Sequence, residues 1–163
     1  MTSSTAIETT GNRTVGMGRI AVAEGPICLS AVLGSCVGVT LHHRRSQRGN
    51  LAHVVLPRCS SQSSGAGKFA DTAIPQMLRW FEQRGTRPAD LVAKIVGGAC
   101  MFGNGGPMQI GQTNVDVATQ LLRDVGVRIA GKDVGGTSGR RITFDCSTGL
   151  VTVETVGNPC RTL

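Results

Sequence analysis

The stretch CVGVTLHH (Cys36–His43), followed after the basic loop RRSQRG by NLAHVVLP (Asn50–Pro57), decides the reading of the fold. The first run alternates with period two, the second is a short apolar run, and a polar loop separates them. That pattern predicts an antiparallel strand–loop–strand hairpin. Working outward, VGMGRIAVAEG (Val15–Gly25) and PICLSAVL (Pro26–Leu33) read as extended, and RCSSQSSGAGKF (Arg58–Phe69) as a Ser/Gly loop. A helix is predicted through DTAIPQMLRWFEQRG (Asp71–Gly85), where Ile74, Met77, Leu78 and Phe81 fall at helical spacing and Gly85 supplies a stop. Pro75 is expected in its first turn, where a missing N–H costs little. DLVAKIVGGA (Asp90–Ala99) reads as a strand entering a glycine turn, with a second helix from near Asn114 to Asp124. GVRIAGKDV (Gly126–Val134) is a further strand, and RRITFDCSTGLVTVET (Arg140–Thr155) a hairpin around Ser147–Gly149. Many strands with two helices make an α+β domain, the helices covering one face of the sheet system.

The composition agrees with one globular domain. Of 163 residues 40% are apolar but only 3% aromatic, so the core must be built from aliphatic side chains. The Ser/Thr-rich residues 1–14 read as a flexible tail, 15–155 as the domain, and 156–163 as a C-terminal tail. The net charge of +7 favours an anionic partner such as an acidic protein surface. Nucleic acid is disfavoured, because the basic residues are spread from Arg13 to Arg161 and almost no aromatics are present to stack bases. No stretch is long and apolar enough for a signal peptide or a membrane span, which predicts a cytosolic protein with reduced thiols. The six cysteines form no C-x-x-C pair, so neither a structural zinc site nor a thioredoxin-like motif is supported.

Cys36 follows Leu33-Gly34-Ser35, a sequence that permits a sharp turn if Gly34 takes a positive φ. Such a turn can aim backbone N–H groups at one point, as an oxyanion hole requires. A cysteine at this place reads equally as a buried strand residue. The predicted hairpin brings His53 near it. If paired positions sum to 89, Cys36 and His53 are opposite neighbours; a sum of 91 leaves them one diagonal apart on one face, and an even sum separates them. His53 also reads as a core histidine bonded to a backbone carbonyl. His42 and His43 read as solvated loop residues. Cys100 is a second candidate nucleophile without a histidine nearby in sequence, in a glycine-rich loop where Met101 and Phe102 offer apolar contacts at the rim of the site. Arg140 and Arg141 read as solvated.

The motif LGSCVGV (Leu33–Val39), with the histidine of AHVVLP (Ala52–Pro57) seventeen residues after Cys36, resembles the CheD family of chemoreceptor glutamine deamidases. So do GKFADTAI (Gly67–Ile74), AKIVGGACMF (Ala93–Phe102), IGQTNV (Ile110–Val115) and KDVGGTSGRRITFDCSTGLVTV (Lys132–Val153), in the family's order and spacing. The resemblance implies a layered α/β/β sandwich related to cysteine deamidase toxins. It also implies a Cys-His-Thr triad, carried here by Cys36, His53 and Ser30. Serine stands where the family has threonine; its hydroxyl would accept the imidazole N–H, without the methyl that restricts the rotamer. The implied reaction is glutamine deamidation on methyl-accepting chemotaxis receptors through a Cys36 thioester, with a thiolate–imidazolium pair as nucleophile. Hydrolysis of glutamate methyl esters would share that thioester. No metal or organic cofactor is called for, and a CheC-type phosphatase is the implied partner. The reading from another class is a non-catalytic protein that docks on receptors or on CheC.

Overall fold

In a computed structural model describing residues 11–60, 65–101 and 109–163, ten strands and two helices follow one another. They are β1 (Gly11–Thr14), β2 (Ile20–Glu24), β3 (Ile27–Leu33), β4 (Val37–His43), β5 (Arg48–Val54), α1 (Ala70–Glu82), β6 (Val92–Gly97), α2 (Ile110–Asp124), β7 (Arg128–Val134), β8 (Arg140–Asp145), β9 (Val151–Glu154) and β10 (Arg161–Thr162). Two mixed five-stranded sheets result, in the orders β1-β3-β8-β9-β10 and β2-β5-β4-β6-β7. The expected hairpin is β4–β5, with Val37 opposite Val54 and Gly38 opposite His53. Pairing extends past the boundaries read from the sequence: β1 lies before residue 15 and bonds in parallel to β3, while β10 lies beyond residue 155 and bonds to β9. Neither segment carries an apolar period long enough to announce a strand. No helix among the described residues is long and apolar enough to cross a membrane.

Alternation along β4 divides the core in two. Val37, Val39 and Leu41 meet Ile74, Met77 and Phe81 of α1 and Ala118 and Leu122 of α2. The opposite face, with Cys36 and Leu51, meets Leu29 and Leu33 of β3 and Ile142 and Phe144 of β8. Helices, second sheet and first sheet are therefore stacked in that order. Each fully buried Phe, Met or Leu contributes roughly 1.5–3 kcal/mol to that stack. Helix α1 begins earlier than predicted, because Ala70 N–H donates to the Leu56 carbonyl at 3.0 Å and fixes the first turn there. Pro75 consequently lies inside the helix. Pro75 is exposed, so the hydrogen bond that it removes lies on the solvent-facing side of the helix. Helix α2 also starts one turn early, at Ile110. There Gly111 rests on the turn after β6: a Cβ on it would lie 2.5 Å from the Gly98 carbonyl oxygen.

His42 is buried rather than solvated, because even-numbered β4 side chains face the first sheet. Its Nε2–H donates to the Cys146 carbonyl at 2.9 Å, and its ring meets Phe144 edge-on. Burial, more than the repulsion from Lys94 and His43, holds this imidazole below the ordinary histidine range, against the pull of the Cys146 carbonyl. The unfolded chain then binds a proton near pH 6.5 that the folded chain refuses. The stabilisation from a neutral His42 is complete above that pH and is lost as pH falls toward the lowered folded value. We expect the melting temperature to fall by a few degrees between pH 7.5 and 5.5. His42→Gln should flatten that slope in thermal melts, and an unchanged slope would remove His42 as its cause.

Candidate active site

The turn between β3 and β4 is held by its carbonyls. Ala99 N–H donates to Gly34 O at 3.0 Å, Gly98 N–H to Cys36 O at 2.9 Å, and Asn114 Nδ2 to Ser35 O at 3.3 Å. Three consecutive carbonyls are thus pinned from β6's end and from α2. The left-handed backbone needed for so close an approach is supplied across the turn rather than within it. Gly34 has no positive φ, whereas Gly97 (φ 106°) and Gly98 (φ 68°) do. A Cβ on Gly97 would stand 2.4 Å from the Cys36 oxygen, so only glycine fits. Arg140 anchors this glycine, donating to Gly97 O at 2.7 Å while ion-paired to Asp133 at 3.1 Å. Its burial corrects the solvated reading, and nothing in GGTSGRR distinguishes it in sequence from the exposed Arg141.

Cys36 and His53 come to the same face. Gly38 pairs with His53, so positions sum to 91 and Cys36 stands one diagonal away. Both side chains face the layer between the sheets, Cys36 8% and His53 3% exposed. His53 Nδ1–H donates to the Val15 carbonyl at 2.9 Å, which leaves the lone pair on Nε2. That nitrogen is buried and has no hydrogen-bond partner among the described residues. A buried, unpartnered ring nitrogen on the same face as a thiol is available as a base. The sulfur is not yet bonded to it. Burial raises the Cys36 thiol above its ordinary value, only partly offset by its own backbone N–H. Burial thus works against a thiolate at Cys36 before a substrate arrives.

Ser30 is not brought to this pair. Leu29 and Ala31, on either side of it in β3, point into the layer between the sheets, so its side chain lies on the sheet's outer face. Its Oγ lies 3.4 Å from Thr14 Oγ1. The acceptor at Nδ1 is main-chain Val15 instead, and Ser30 serves it indirectly, accepting the Val15 N–H on its own carbonyl at 2.7 Å. A backbone acceptor carries no residue signature, so sequence reading passes over it. Ser30→Ala should then leave the turnover rate within about twofold, because its relevant atom is main chain; a loss of tenfold or more in steady-state kinetics would return the hydroxyl to the site.

The remaining candidates lie outside the pair. His43 is half-buried at the strand end, its Nδ1 2.7 Å from Ser46 Oγ. Cys100 is exposed, its N–H bonded to Gly136 O at 2.9 Å. Met101, 45% exposed, reaches the Cys36 turn, since a Cβ on Gly34 would meet its Cγ at 3.7 Å. Phe102 lies outside the described residues.

A family model described as CheD chemotactic sensory transduction matches residues 55–155. A probable chemoreceptor glutamine deamidase CheD of Methanococcus vannielii is 41% identical over 142 residues, 86% of this chain and 92% of the relative. The chemoreceptor glutamine deamidase CheD of Thermotoga maritima is 35% identical over 146 residues, 89% of this chain and 92% of the relative. Matches of that length leave too few residues outside them to omit Cys36 or His53. Among solved structures, the hypothetical protein YfiH of Bacillus licheniformis superposes with a TM-score of 0.49 at 17% identity, over 70% of this chain and 49% of that one.

Proposed function

The chain belongs to the CheD family, and on that premise we propose that it is a chemoreceptor glutamine deamidase with Cys36 as nucleophile and His53 as base. One observation carries the reading: His53 shares a face with Cys36, with Nδ1 committed to Val15 and Nε2 left over. Related cysteine deamidase toxins and a CheC-type partner belong to this proposal as well, as does action in the cytosol.

The reaction starts from the Cys36 thiol and the unpartnered Nε2 of His53. As the glutamine carboxamide enters, the Cys36 proton passes to His53 Nε2 and the sulfur attacks the amide carbon. The negative charge that develops on oxygen is met by backbone N–H, with that of Cys36 as the candidate donor. The imidazolium gives its proton to the nitrogen, the C–N bond breaks, and ammonia leaves a thioester. Neutral His53 then takes a proton from water, whose oxygen attacks the thioester carbon. The C–S bond breaks, the thiol is restored, and glutamate remains. A glutamate methyl ester would give the same thioester with methanol as leaving group.

The test is mass spectrometry on a receptor cytoplasmic fragment incubated with the protein. Glutamine-to-glutamate conversion at defined sites is expected. A fragment that binds but keeps every glutamine would leave a docking protein in place of the enzyme.

A further inference from the structure

We propose that Asn114 is a positioning residue of this site, a clamp that sets the gap between the segments carrying Cys36 and His53. The proposal rests on the deamidase reading. The β4–β5 ladder ends at Val37 and Val54. One residue further on, where Cys36 and Val55 would form the next rung, the strands part, and Val55 N–H turns away to the Lys68 carbonyl at 2.9 Å. Asn114 fills the fork. From the first turns of α2 its Nδ2 donates both to Ser35 O at 3.3 Å and to Val55 O at 3.0 Å. One amide group thus ties the residue before the nucleophile to the residue two after the base.

The environment of Asn114 fits a fixed clamp rather than a surface contact. Asn114 is 0% exposed, and its Oδ1 is buried without a partner among the described residues. An isolated buried acceptor is costly, so a residue of this kind is a poor choice for packing alone. Its place is fixed by the close approach of Gly111 to Gly98 and Ala99, the same turn that donates to Gly34 and Cys36. Nδ2 is the sole side-chain donor among the described residues to the carbonyls of both arms. Without it, the Cys36 turn keeps its bonds to Gly98 and Ala99, and β5 keeps its ladder. The two arms lose only their mutual distance.

Two readouts on Asn114→Ala separate positioning from stability, with Leu122→Ala as a control. Leu122 is fully buried in the helix-facing core, and its apolar side chain has no donor for the turn's carbonyls. We expect Asn114→Ala to lower kcat by up to about 100-fold with KM little changed, as misplacement of reacting groups does. Carbamidomethylation of Cys36, followed by peptide mass spectrometry across pH, should move to lower pH as water enters the fork and relieves the burial that raises the thiol. Leu122→Ala should lose stability while keeping both. Asn114→Ser, read in the same two assays, replaces the alanine variant if the latter does not fold. Wild-type kcat and an unmoved alkylation profile in a folded Asn114 variant would overturn the clamp, as would an equal kcat loss in Leu122→Ala. A wild-type protein that never deamidates would instead overturn the deamidase reading, and the alkylation profile would still report on the clamp.

Discussion

Cys36→Ala is expected to abolish conversion of receptor glutamine to glutamate, by at least about four orders of magnitude in kcat/KM. The size of the loss follows from the role proposed for the residue. Alanine leaves no atom to form the thioester, and His53 cannot replace it, because its Nδ1 is committed to Val15 and its Nε2 would have only water to activate. The fold should tolerate the change. Cys36 contributes a small side chain at the edge of the inter-sheet core, and its carbonyl, which accepts from Gly98, is untouched. A buried small-residue exchange of this kind costs about 1–2 kcal/mol. Circular dichroism and receptor binding should accordingly match the wild type while mass spectrometry finds no glutamate. Conversion persisting at the wild-type rate would move the nucleophile elsewhere, and exposed Cys100, on the turn after β6, would be tested next.

The hairpin that carries both groups was legible because its information is periodic. Alternation through Val37, Val39 and Leu41 separates the two faces of the strand, whereas the register sum stays open in the sequence and is fixed at 91 only by the pairing of Gly38 with His53. What was not legible depends on main-chain atoms and on distant contacts. The acceptor that orients His53 is a carbonyl of Val15, and any residue at that position presents the same oxygen. Family spacing points to Ser30, but alternation along β3 turns a residue between Leu29 and Ala31 away from the layer that holds His53. The turn at Gly34 looks self-sufficient in sequence, yet its tightness is built far along the chain at Gly97 and Gly98. Arg140, which anchors Gly97, is indistinguishable in sequence from its solvated neighbour. Asn114 sits in a quoted motif without a local reason to matter, since both of its acceptors belong to other parts of the chain.

His53→Gln should reduce deamidation by about 10²- to 10⁴-fold, the range for removal of a general acid–base group. It should barely alter the intrinsic reactivity of Cys36. These two outcomes together distinguish a base recruited by substrate from a resting ion pair. In the free protein burial lifts the thiol above its ordinary value, and no bond joins it to Nε2. Alkylation of wild-type Cys36 by iodoacetamide should therefore keep rising above pH 9 rather than level off near neutrality. Glutamine at position 53 leaves that profile nearly as it was, because the imidazole was not holding the thiolate. Deamidation needs more than a thiolate. The nitrogen must receive a proton to leave, and a water must lose one to cleave the thioester; a carboxamide performs neither transfer at neutral pH. An alkylation profile that levels below pH 7 in the wild type and shifts upward in His53→Gln would contradict this order of events. It would mean that the thiolate–imidazolium pair forms before the substrate arrives, and that the unpartnered Nε2 is not the resting state of the site.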